Sequence, residues 1–299
     1  MSVNPTSNDT TLPSAEAALR PPERDLVDAW RTIAQAHQEQ AARIRDAPPG
    51  TDAWVPPPNT AGPLWGDDKE RREPEIEQLL EPRGTVLDIG GGAGLPALAL
   101  AAAVKRITTI DPSPGMTALM EQNVADSGLD NVRVLHAGAW LPHEPLDRVD
   151  VCLTVNVTYF VEEIGLFLDA MESHAQRLCI VVSTELGTAF QPTEPLFSEI
   201  HGEPFIRQPA RRELLAVLAA RRRHVSIRPG PGLWVPQPRE VDAPLGFCHG
   251  WYHVTKDTAK DRHLRELLIE QFGTSDGHVV LPLMVDRDSS VISWAPPPA

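Results

Sequence analysis

The chain predicts a doubly wound α/β domain with a mostly parallel sheet, and three observations predict it. A short apolar run, Thr85-Val86-Leu87-Asp88-Ile89, passes straight into Gly90-Gly91-Gly92-Ala93-Gly94 and then into the helix-forming Ala97-Leu98-Ala99-Leu100-Ala101-Ala102-Ala103. Strand-like and helix-like runs then alternate as far as Thr184, the pattern of a parallel sheet covered on both faces. The chain closes on two further strand-like runs, 279–284 and 290–294, around the polar Asp286-Arg287-Asp288, which predict an antiparallel hairpin.

Composition bounds what such a domain could do. A length of 299 residues fits one large domain with additions. No apolar run approaches the ~20 residues that span a bilayer, and no membrane partner is expected. Met1-Ser2-Val3-Asn4-Pro5 lacks the basic and apolar parts of a secretory signal. Cys152, Cys179 and Cys248 are an odd, widely spaced set with no C-x-x-C pair. Reduced thiols, a cytoplasmic setting and no metal site are therefore expected. The formal net charge of −14 argues against a nucleic-acid partner, because phosphate binding needs a basic face. The one basic run, Arg221-Arg222-Arg223, ends a predicted helix, where cations complement the dipole.

In chain order, residues 1–22 are rich in Ser, Thr, Asn and Pro and read as a disordered tail. Residues 23–80 form an N-terminal helical cover. It opens with an amphipathic helix over 23–45 whose stripe is Leu26, Trp30, Ile33, His37, Ala41 and Ile44. A proline-rich crossing with Trp54 and Trp65 follows, then a second helix over 73–80. The α/β domain occupies 81–299, with strands at 86–89, 106–110, 132–136, 149–155 and 177–183. Helices are expected at 96–104, 115–127 and 164–174. An irregular insertion at 185–208 leads to a helix over 209–222 and a strand over 224–228. A second irregular segment, 229–256, holds Trp234, Phe247, His249, Trp251, Tyr252 and His253, and a helix follows over 257–272.

A strand ending in a glycine-rich turn before a helix builds a nucleotide site: glycine admits positive φ and close ligand approach. A dinucleotide pattern can be forced onto Gly92-Ala93-Gly94-Leu95-Pro96-Ala97, but Asp88-x-Gly90-x-Gly92-x-Gly94 is the better frame. With the acid of Ile110-Asp111-Pro112-Ser113-Pro114-Gly115-Met116, this frame resembles the class I S-adenosylmethionine-dependent methyltransferases over about residues 80–184. The resemblance implies a seven-stranded Rossmann-like sheet with a reversed last strand, and S-adenosyl-L-methionine as cofactor. It implies that Asp111 accepts from the ribose hydroxyls, whereas the bland alternative for Asp111 is a helix cap. It places Asp88 beneath the loop, Gly90, Gly92 and Gly94 against the cofactor, Pro112 and Ser113 among the cofactor-binding residues, and Met116 on the adenine. One departure stands out. Many members carry an acid after the third strand for the adenine amino group, and here the sequence is Ala137-Gly138-Ala139-Trp140. A carbonyl near Ala139 or a water then has to serve, and Trp140 either stacks near the ring or fills the core edge. After the fourth strand, Asn156 and Tyr159 occupy the place where the family joins cofactor and acceptor.

Methyl transfer to a weak nucleophile needs alignment and a base, for which histidine is the commonest choice. His201, His249 and Tyr159 are the candidates, with His253 nearby, although each histidine alone also suits a structural role. The acidic charge and the aromatic segments lead to the expectation of a small-molecule acceptor. Two rivals remain: a catalytically silent S-adenosylmethionine-binding module and an NAD-dependent oxidoreductase. The oligomeric state cannot be read from the chain.

Overall fold

Five residues, Thr85–Ile89, form β1, whose last four side chains are all buried, so it needs cover on both faces. The computed structural model describes residues 20–45, 52, 73–136, 140, 146–184, 194–230, 249, 252–275, 278–279 and 289–298. Within them lie the helices α1 (Glu23–Ile44), α2 (Pro74–Glu77), α3 (Leu95–Leu100), α4 (Pro114–Ser127), α5 (Ile164–His174), α6 (Glu194–His201), α7 (Arg211–Ala220) and α8 (Ala259–Phe272). The strands after β1 are β2 (Arg106–Asp111), β3 (Val132–His136), β4 (Val149–Val155), β5 (Ala175–Thr184), β6 (Ser226–Pro229), β7 (Thr274–Ser275), β8 (His278–Val279) and β9 (Ser289–Trp294).

Seven of these strands make one sheet in the order β3-β2-β1-β4-β5-β9-β6. All neighbours run parallel except β9, which is antiparallel to β5 and to β6. The expected mostly parallel seven-stranded sheet with a reversed C-terminal strand is thus observed. The chain leaves β1 towards β2 and β3 and then returns to β1's other side with β4. That reversal opens a crevice at the carboxyl ends of β1 and β4, where open α/β sheets bind ligands.

Alternation along the strands divides the core. Leu87, Ile89, Cys152, Cys179 and Val181 face α1, α5 and α7. Val86, Val151, Leu153, Ile180 and Val182 face α2 and α3. A third cluster joins Ile44 of α1, Leu196 and Phe197 of α6, Tyr252 and Val254, and Leu264 and Leu268 of α8. This cap is assembled from segments far apart in sequence.

Four details differ from the sequence expectations. The buried stripe of α1 is Trp30, Ala34, His37, Gln40 and Ile44, while Ile33 is 37% exposed. Gln40 is buried because it donates to Pro204 O (2.8 Å) and accepts from Ile206 N (2.8 Å), work that an apolar pattern cannot register. The helix expected at 73–80 is only Pro74–Glu77 followed by turns. The insertion at 185–208 contains α6, whose Leu196 and Phe197 supply the cap. That insertion's first part, 185–193, lies outside the described residues, as do Trp54, Trp65, Trp234, Phe247, Cys248 and Trp251. Finally, the last strand does not pair as a hairpin. β9 is buried along its whole length and lies between β5 and β6, whereas β8 pairs with β7 in a separate two-stranded ribbon. Both edges of β9 are taken, by β5 and by β6, which satisfies its backbone groups and leaves no edge for the expected hairpin partner.

Candidate functional site

The glycine turn sits at the carboxyl end of β1, held by Gly90 N and Gly91 N donating to Ile110 O on β2 (2.8 and 3.2 Å). Gly90 has φ +76°, and a Cβ there would run into Val157 and lie 3.1 Å from the Trp140 ring. Trp140 therefore packs directly on the turn while also meeting the core cluster around α1 and α5. Of the two sequence readings of that tryptophan, the contact with the core cluster is the one on view. Gly91, which the every-second-glycine frame passes over, is as constrained: a Cβ would collide with Thr109 Oγ1 and approach Asp88 Oδ2 to 2.8 Å. The space beside Gly92 is open, with no atom within 4 Å of where its Cβ would stand.

Two carboxylates bracket the turn. Asp88, 1% exposed, accepts from Thr109 Oγ1 at 3.1 Å through Oδ2, and its Oδ1 is buried without a partner. Burial raises its pKa to about 7, opposed by the Thr109 hydroxyl and assisted by the charge of Asp111. Asp111, at the end of β2, accepts from Gly92 N through Oδ2 (2.9 Å) and from Ser113 N through Oδ1 (2.9 Å). Burial also lifts its pKa, against those two backbone hydrogen bonds. The helix cap is Ser113 rather than Asp111: Ser113 Oγ accepts from Met116 N at 3.0 Å at the start of α4. Proline at the first helical position completes that start. An ionised carboxylate has about four lone-pair sites. Two in Asp111 are used by N–H groups, so each oxygen keeps capacity for a further hydroxyl.

On the other side of β1, Asn156 ends β4 in the left-handed region (φ +57°). Its Oδ1 accepts from Tyr159 Oη (2.9 Å) and Thr184 Oγ1 (3.0 Å), and Thr184 N donates to Tyr159 Oη (2.6 Å). Tyr159 is 3% exposed. Its hydroxyl fastens the ends of β4 and β5 together.

The histidine candidates gather in the cap. His201 Nε2 donates to Tyr252 O (2.7 Å), and its ring lies 4.7 Å from that of Phe197. His249 Nε2 meets Asp261 Oδ1 at 2.7 Å, with both side chains buried and Nδ1 enclosed without a partner. His253 lies 6.3 Å from His37 ring to ring, and its pKa falls to about 3 through burial, then repulsion from Arg45, His37 and His201. Ala139 lies outside the described residues. The basic run is built into the fold: Arg221 reaches Glu23, Asp169 and Gly165 O, and Arg223 pairs with Glu172.

A family model described as a methyltransferase domain matches residues 86–176, which run from the glycine-turn strand to the start of β5. Over that stretch the chain matches the methyltransferase domain that its acid-and-glycine motifs resemble. Its cofactor is S-adenosylmethionine. The open side of Gly92, the buried unpartnered Asp88 oxygen and the remaining capacity of Asp111 fit that group. The nicotinamide reading falls with this match.

The chain is similar to ribosomal RNA small subunit methyltransferase G of Nocardioides sp., 41% identical over 70 residues, covering 23% of this chain and 28% of that protein. The protein of the same name from Paenarthrobacter aurescens is 32% identical over 107 residues, covering 35% and 49%. The chain thus spans half or less of the length of these relatives. The solved structure of YcgJ from Bacillus subtilis shares the fold, with a TM-score of 0.50 and 17% identity over 75% of this chain and 98% of that one. These relatives correct one expectation. A small-molecule acceptor without nucleic acid was expected from net charge, yet the curated relatives are named for ribosomal RNA. Net charge sums over the whole chain and does not report the potential over one face. Among the described residues no helix is long and apolar enough to cross a membrane.

Proposed function

We propose that this methyltransferase moves a methyl group from S-adenosylmethionine to RNA. The observation that carries the cofactor half is the Asp111 carboxylate, fixed by Gly92 N and Ser113 N with one acceptor site left on each oxygen. A pair of vicinal ribose hydroxyls matches that arrangement. The RNA half is supported by the names of the relatives, whose similarity covers at most 49% of their own length in the matches described above.

Bound S-adenosylmethionine supplies an electrophilic methyl group on a sulfonium sulfur. Asp111 orients the ribose, Asp88 holds the turn from beneath, and Met116 and Trp140 supply apolar surface around the adenine. Asn156, locked by Tyr159 and Thr184, keeps the end of β4 facing the crevice. Its amide nitrogen makes no hydrogen bond among the described residues and is free to donate to a ligand there. The protein's contribution is proximity and alignment for an in-line displacement. The chain is assigned to the cytoplasm, where Cys152 and Cys179, neighbours across β4 and β5 and both unbridged, remain thiols.

Equilibrium dialysis with labelled cofactor, followed by incubation with unmodified ribosomal RNA, tests both halves. Binding that Asp111→Asn weakens at least tenfold, with label in the RNA, is the expected result. No binding by the native chain overturns the proposal. Label in the low-molecular-weight fraction of a cell extract, and none in RNA, overturns the acceptor alone. Binding without transfer to any fraction favours the silent module.

A further inference from the structure

We propose that Asp52, from the segment ahead of the methyltransferase domain, is a positioning residue of the cofactor site, latching that segment to the first turn of α4. Asp52 Oδ2 accepts from Ser113 Oγ at 2.6 Å and from Gly115 N at 3.3 Å. Ser113 is the hub of the cofactor side. Its N–H donates to Asp111, its Oγ accepts from Met116 N, and its hydroxyl proton goes to Asp52. Thus Asp52 bears on Asp111 and Met116, the residues read as holding ribose and adenine, through one shared side chain. The inference rests on that reading of the site.

The topology gives the latch its consequence. On the β4 side of β1, α1 is fastened to the loop after β4: Trp30 Nε1 donates to Val161 O (2.7 Å), and Arg31 pairs with Glu163 through both carboxylate oxygens. Asp52 fastens the same N-terminal segment on the β2 side. Only residues 46–51 separate Arg45, which follows α1, from Asp52, a stretch that reaches at most about 25 Å. The two anchors therefore tie α1 and Asp52, neighbours in sequence, to elements on opposite sides of the glycine turn. A second carboxylate set beside Asp111 is unfavourable on charge grounds alone, since like charges resist joint ionisation. Its hydrogen bonds to Ser113 and Gly115 offset that cost. The methyltransferase-domain match begins at residue 86 and does not include this group.

The test measures cofactor affinity and dissociation rate by calorimetry and stopped flow on the full chain, native and as Asp52→Ala and Asp52→Asn. Asp52→Ala is expected to dissociate S-adenosylmethionine about tenfold faster, the worth of one hydrogen bond to a charged group. Asp52→Asn, which keeps an acceptor oxygen, is expected to fall between. Ligand-free melting temperatures report any purely structural effect, and Asp52→Asn carries the test should the alanine variant fold poorly. Unchanged rates and affinity in folded variants overturn the latch while leaving the cofactor reading intact. No binding by the native chain overturns both.

Discussion

The Tyr159 hydroxyl lies 2.6 Å from the backbone nitrogen of Thr184 and accepts its hydrogen, bolting the loop after β4 to the last residue of β5. The same oxygen lies 2.9 Å from Asn156 Oδ1 and 3.2 Å from Thr184 O, to which it can give its own proton. Removing the hydroxyl leaves a buried N–H without this partner. Tyr159→Phe is expected to lower stability by about 1–3 kcal/mol in urea unfolding, with an unchanged denaturant slope. Cofactor affinity should drop a few-fold as Asn156 loosens. Equal stability of the two proteins would show that water or a neighbour replaces the bond.

Asp88 makes the resting stability pH-dependent in an unusual direction. Its pKa rises from 3.8 to about 7 on folding, chiefly through burial. Between those values the folded state holds the proton more tightly than the unfolded state. Its contribution is complete below about pH 4 and declines as pH rises through about 7. Each tenfold change in proton affinity is about 1.4 kcal/mol, so the loss can reach about 4 kcal/mol. Asp88→Asn removes this term. Unfolding curves of native and variant protein, measured without cofactor from pH 4.5 to 8, should diverge, the variant gaining relative to the native chain as pH rises. Curves that stay parallel would mean that Asp88 does not take up this proton.

Gly91 tests how tightly the turn is built. A methyl group there meets Thr109 Oγ1 and Asp88 Oδ2, neither of which is the far end of a flexible chain. Gly91→Ala should cost about 1–3 kcal/mol through overpacking and should weaken cofactor binding. A double variant, Gly91→Ala with Thr109→Ala, is expected to recover part of the stability because it removes the closest clash. Failure of the second change to recover any would place the strain elsewhere.

Sequence and structure agree best where one face or one chemical pattern decides. The strands from β1 to β5 lie almost where apolar runs place them, because central strands buried on both faces have few alternatives. Asp88, Gly90, Gly92 and Asp111 are visible because a motif of acids and glycines leaves a spacing behind. Gly91 escapes because its need comes from Thr109 and Asp88 packing against it, not from its own backbone angle. Asp52 escapes because a latch formed across 61 residues leaves no local signature. α6 lies in a polar, proline-containing stretch, and its apolar pair, Leu196 and Phe197, has meaning only against the end of α1 and α8. The pairing of β9 is not legible in the sequence because local alternation identifies a strand but not its neighbours.

His253 offers the last prediction, with the opposite sign to Asp88. Its residue adopts φ +51°, and its imidazole is enclosed beside His37, with Arg45 and His201 adding repulsion to the burial that holds its pKa near 3. Burial lowers His37 as well, against the hydrogen bond from its Nδ1 to Ile206 O. For a histidine whose folded pKa lies below the unfolded 6.5, the stabilising contribution is present above pH 6.5 and is lost as pH falls towards 3. At pH 5 this site alone should cost about 2 kcal/mol relative to pH 7. His253→Asn keeps a residue that tolerates the left-handed backbone and removes the titration. The variant should therefore lose less stability than the native chain between pH 7 and pH 5. Hydrogen exchange should show the difference first in the 252–272 stretch, because His253 contacts α1 and α6 rather than the sheet. A native chain that loses no more stability than His253→Asn over that interval would show that the cap opens without charging this ring.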